Sequence, residues 1–159
     1  MHWKTSTLLV AALIMAGFSY LATAGEGKDA AVKKDLRTLQ GTWKTRDDNR
    51  AGIQSIRFDG HKVVVTFNGN ETATGIATID PTKKPKTIDI KVTGGTVKEA
   101  ENDKGKTSRG IYEVDDGKLR WHATKPGGDE RPKDFENATH ALMVFEREKR
   151  SDAELAPRG

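Results

Sequence analysis

The stretch Ile53–Phe67, "IQSIRFDGHKVVVTF", decides the fold. Apolar side chains recur at every second position on both sides of Asp59-Gly60, as with Ile56 and Phe58 before it and Val63, Val65 and Phe67 after it. A period of two sends successive side chains to opposite faces of a strand. An Asp-Gly pair supplies the positive φ that a tight hairpin turn requires. The stretch therefore reads as two antiparallel strands, "IQSIRF" and "HKVVVTF", joined by a short turn.

The same pattern extends in both directions. Before it stands "GTWKTR" from Gly41, and after Asn68-Gly69 comes "ETATGIATI". In "TIDIKV", Ile88, Ile90 and Val92 alternate with Thr87, Asp89 and Lys91, giving one buried and one wet face. "TSRGIYEV" and "KLRWHA" flank Asp116-Gly117, and "HALMVFERE" ends the series. That makes eight strands with three Asx-Gly joints. A meander of this kind removes its exposed edges by closing on itself. The expected fold is all-β, a small antiparallel up-and-down barrel over residues 39–148, either filled by side chains or holding one small ligand.

Three connections are longer. Within "IDPTKKPKTIDI", Ile79–Ile90, Pro81 and Pro85 cannot donate ladder hydrogen bonds, so Pro81–Lys86 reads as a loop between strands. Its Lys83, Lys84 and Lys86 keep an exposed connection soluble. The alternative is an anion patch made by these three lysines, a surface for an anionic polymer. "GGTVKEAENDKGK" and "TKPGGDERPKDFENAT" are polar connections without strong periodicity.

Lys4, the apolar run Leu8–Ala24 and Ala22-Thr23-Ala24 have the form of a signal peptide cleaved before Gly25. Residues 25–38 then read as a linker and short helix, with Asp29 as N-cap and Val32, Leu36 and Leu39 on one face. Residues 149–159 read as a disordered tail. The destination is secreted or periplasmic, with no membrane span once the signal is removed. The chain has no cysteine, so neither disulfides nor thiolate sites are available and a core must supply the stability. The formal net charge of +4 falls to +3 when Lys4 leaves. That mixed surface is not the footprint of a nucleic-acid-binding protein.

No residues stand at catalytic or metal-ligand spacing, and no cofactor motif is present. His61, His122 and His140 form no H-x-x-x-H pair. His122 alternates with Leu119 and Trp121 and is expected to point outward. Trp43, Phe67, Tyr112 and Trp121 are the large aromatics available to line a barrel interior and touch a ligand, although ordinary core packing also accounts for them.

"LQGTWK" places Gly41-x-Trp43 at the start of the first strand, and Arg147 stands near the end of the last. This resembles lipocalin-type barrels, in which an arginine covers the tryptophan and closes one end. The set "LQGTWK", "IDPTKKPKTIDI", "KGKTSRGIYEV", "ERPKDF" and a final strand ending in "ERE" resembles a small exported domain family of planctomycete bacteria. That resemblance implies a signal-bearing, extracytoplasmic domain and brings no assigned activity or catalytic residues. The expected function is a non-enzymatic module that binds a small apolar or amphipathic ligand, or a protein partner. The alternatives are an exported acid–base enzyme using His122 or His140 with a carboxylate, and an envelope protein contacting anionic polymer.

Overall fold

The computed structural model describes residues 23–45, 52–136 and 142–149. Helix α1 (Thr23–Leu39) leads into β1 (Gly41–Thr45), β2 (Ile53–Asp59), β3 (Lys62–Phe67), β4 (Thr72–Asp80) and β5 (Lys86–Gly95). A five-residue helix α2 (Lys98–Asn102) precedes β6 (Thr107–Asp115), β7 (Lys118–Ala123) and β8 (Leu142–Arg147). Each strand pairs antiparallel with its sequence neighbours. β8 returns to β1 with Trp43 opposite Arg147, so the sheet closes into an eight-stranded up-and-down barrel. Closure pairs what would otherwise be the two edge strands.

The hairpin turns differ in form. Asp116 and Gly117 both have positive φ, 45° and 71°, as a two-residue type I′ turn requires. In the first hairpin Asp59 pairs with Lys62, so the loop is Gly60-His61, and Gly60 takes the positive φ of 60°. The third joint is longer than a tight turn. Asn68–Asn70 form one turn of 3-10 helix, closed by Phe67 N–H donating to Glu71 O at 2.8 Å.

The inner face is graded in size. Towards one end it carries Trp43, Ile56, Phe58, Ile88, Tyr112, Leu119 and Phe145, each no more than 3 % exposed. Towards the other end it carries smaller residues, among them Ala73, Gly75, Val92, Ser108 and Ala123. Large side chains fill the first half, whereas small ones in the second leave space between opposite walls.

Helix α1 covers the filled end. Leu39 is fully buried, and Val32 and Leu36 pack against the same core, as their helical spacing predicts. The helix is longer at its start than expected. Asp29 lies inside it rather than capping it, because the helix continues back to Thr23. Polar contacts fix its position on the barrel. Lys28 Nζ is 3.0 Å from Asp80 Oδ2, and Tyr112 Oη donates to Asp35 Oδ2 at 2.8 Å. The same Asp35 oxygen is 2.7 Å from Lys86 Nζ.

Two predictions arise from these contacts. Lys83 and Lys84 are exposed, but Lys86 is committed to Asp35 across 51 residues of sequence, so the three lysines do not form one free patch. Lys86→Gln should destabilise by about 0.5–1 kcal/mol in urea unfolding, and Lys83→Gln and Lys84→Gln by less than the error of the measurement. Asp80 is the second case. Hydrogen bonds from Thr82, and next from Lys28, lower its pKa from 3.8 to about 2. A depressed folded-state value means that the ionised form favours the native state. This contribution is full above pH 3.8 and is lost as the pH falls towards 2. Asp80→Asn should flatten the acid limb of the stability profile in that window, measured as the urea midpoint against pH.

Among the described residues no helix is long and apolar enough to cross a membrane. Residues 1–22 of the expected signal, His140 and the tail beyond Lys149 lie outside the described residues, and Thr23 and Ala24 begin α1.

Candidate functional site

At the end opposite α1 the barrel opens into a cavity of about 440 Å³. Its walls come from the ends of β2–β8 that lie away from the helix. Val65, Phe67, Ala73, Ile90, Val92 and Met143 supply much of the apolar surface, with Trp121 beside them. Trp121 separates the cavity from the filled half, its ring centroid 6.4 Å from that of Phe145. Gly110 makes room for the indole, since a Cβ there would stand 3.0 Å from Trp121 Nε1.

The hydroxyl groups of the wall are engaged by the main chain. Ser108 Oγ donates to Thr124 O at 2.6 Å, and Thr124 Oγ1 donates to Arg109 O at 3.2 Å. Thr74 Oγ1 donates to Gly94 O at 3.0 Å. Pairing of this kind removes the desolvation cost of polar groups in an apolar wall. Lys125 is the one ionisable residue lining the cavity among the described residues, and its side chain makes no ion pair or hydrogen bond there.

The structure divides the four aromatics. Phe67 and Trp121 line the cavity. Trp43 and Tyr112 sit at the filled end, where their polar atoms face α1. Trp43 Nε1 donates to Leu39 O at 2.7 Å, and Tyr112 donates to Asp35. Burial and then the neighbouring Asp35 push the Tyr112 phenol well above its usual range, so it remains a donor at neutral pH. Arg147 lies over Trp43, its guanidinium carbon 4.0 Å from the ring centroid. Its Nη1 donates to Gln40 O at 2.6 Å and its Nη2 to Thr38 O. This arrangement closes the bottom of the barrel and leaves Trp43 away from the cavity.

His122 points away from the barrel interior but is only 1 % exposed. Residues 131–135, part of the segment read from sequence as a polar loop, lie as a strap over the outside of β5–β7. His122 Nδ1 lies 2.8 Å from Asp134 O. Arg131 Nη1 donates to Gly110 O at 2.7 Å, and its Nη2 donates to Asp89 Oδ2 at 2.9 Å. Arg120 stacks on Phe135 with its guanidinium carbon 4.5 Å from the ring centroid. His122 points outward as its alternation predicts, and the strap then covers it. His122 thus stands on the opposite side of the wall from the cavity. His61 is exposed on the first hairpin, with Nδ1 3.0 Å from Ala77 O. Among the described residues no group of three His, Asp or Glu side chains is placed to hold a metal ion.

Sequence reasoning did not find Ala73, Gly75, Ser108, Ala123 or Lys125 as wall residues. Their small size or polar character gives no ligand signal along the chain, and only closure of the sheet brings them together. The chain matches no protein-family model, no curated protein and no solved structure.

Proposed function

We propose that the protein is an exported binding module that holds one small apolar or amphipathic molecule inside its barrel. The observation that carries this reading is the cavity. At about 440 Å³ it falls within the size range of small-molecule sites, roughly 300–1,000 Å³, and its walls are apolar. It opens at one end only, because α1 and the Trp43–Arg147 contact close the other. An apolar ligand entering such a site gains about 25 cal/mol for each Å² of surface it removes from water. Export rests on the signal-like residues 1–24 and on the resemblance to exported planctomycete domains.

A neutral solvatochromic naphthylamine dye tests the reading. Titrated into the protein, it should brighten and shift to the blue, and it should quench Trp121, which borders the cavity. Ala73→Phe and Ala123→Phe each put a large ring into the space, and each should weaken dye binding at least tenfold, about 1.4 kcal/mol. Thermal unfolding of both variants shows whether the barrel is intact. A parent protein that leaves the dye unchanged would end this reading. So would folded filling variants that bind the dye as well as the parent does.

A further inference from the structure

Lys125 and the dimensions of the cavity together specify a ligand class. The cavity takes about fifteen groups of water size at ~30 Å³ each. That is space for one alkyl chain of moderate length and too little for two. The interior offers such a chain no exposed side-chain hydrogen-bond donor among the described residues. The hydroxyls of Ser108, Thr124 and Thr74 donate to main-chain carbonyls, and Trp121 Nε1 is shut off from solvent against Gly110. A polar head therefore has to remain at the opening.

The opening carries Lys125, whose ammonium is exposed and uncommitted. Its backbone is held on both sides. Thr124 N–H donates to Arg109 O at 2.9 Å, and Gly128 N–H donates to Lys125 O at 3.0 Å. Pro126, the next residue, also lines the cavity and has a fixed φ. The lysine thus stands on a fixed turn among the residues that line the cavity and is itself exposed, so its stem can cover apolar wall while its charge stays in water. Resting on the proposal that the cavity binds a ligand, we infer that this ligand is a single-chain anionic amphiphile. Its alkyl chain occupies the barrel and its carboxylate meets Lys125.

Competition against the neutral dye tests the inference, using dodecanoate, dodecanol and dodecyltrimethylammonium at pH 8 and low salt. Dodecanoate should displace the dye about three- to fivefold more effectively than dodecanol, the size expected of one solvent-exposed ion pair, and the ammonium compound should be weakest. Added salt should reduce the preference for the carboxylate. Lys125→Met keeps the stem and removes the charge. It should bring dodecanoate to the level of dodecanol. If all three compounds compete equally and Lys125→Met changes none of them, the head-group assignment is wrong while the cavity remains a binding site. If the dye binds and none of the three displaces it, the single-chain class is wrong. If the dye itself does not bind, both this inference and the function beneath it are overturned.

Discussion

Trp43→Ala should destabilise the protein by about 3–5 kcal/mol, measured by urea unfolding. Trp43 is fully buried, and its indole N–H donates to Leu39 O. The substitution removes the ring, leaves a cavity at the filled end, and strips a carbonyl at the end of α1 of its partner. The last carbonyls of a helix lack intrahelical donors. Here Trp43 serves Leu39, and Arg147 serves Thr38 and Gln40. A cation at this end also complements the helix dipole. Arg147→Ala should cost less, about 1–2 kcal/mol, since it loses a partly exposed cation–π contact and two hydrogen bonds without opening the core. The two residues share one contact at 4.0 Å, so the double mutant should lose less than both single losses together. Additive losses would show that the contact contributes nothing to stability.

Gly95→Ala should cost about 2–4 kcal/mol, although it adds only one methyl group. A Cβ at this position would stand 2.1 Å from Thr72 O and 2.8 Å from Ala73 Cα. Neither atom can rotate away, because both belong to the backbone of β4. Thr72 O also accepts from Thr96 N–H at 2.8 Å and from Val97 N–H at 3.1 Å, and Thr72 N–H donates to Thr96 Oγ1 at 2.8 Å. Relieving the clash pulls β5 away from β4 and breaks these bonds at the opening of the barrel. Ala73 and Val92 line the cavity in the same two strands, so dye binding should weaken along with stability. Gly105→Ala is the comparison. Gly105 also has positive φ, 86°, but nothing lies within 4 Å of its added Cβ. It should carry only the backbone cost, ~1 kcal/mol. Equal losses at the two sites would show that conformation rather than contact sets the cost at Gly95.

The eight strands, their order and their antiparallel pairing were legible in the sequence. The signals that define them are local. Alternation sets each strand, as in Thr87–Val92, and Asp116-Gly117 sets a turn by its own φ preference. The ends of elements were less legible. β5 continues through Gly94 and Gly95, which carry no side chains to extend the alternation. Helix α1 passes through Asp29, a residue that caps a helix only where the preceding backbone leaves helical geometry.

The candidate site depended on the tertiary structure for a different reason. Along the chain, Trp43 and Tyr112 are as suitable for lining a ligand site as Phe67 and Trp121. Register and closure place the first pair at the end plugged by α1 and the second pair beside the cavity. Lys86 looks like Lys83 and Lys84 until the helix brings Asp35 within 2.7 Å of it. His122 has the alternation of an exposed residue until the strap covers it. Each strand's own pattern specifies which side chains face inward. The position of a residue along the barrel axis depends on the stagger of all eight strands. Whether the interior is filled or hollow depends on which side chains that stagger sets opposite one another. By itself the sequence determined the inner face, and only the closed barrel, with large residues at one end and Ala73, Gly75 and Ala123 at the other, decided that half of it is hollow.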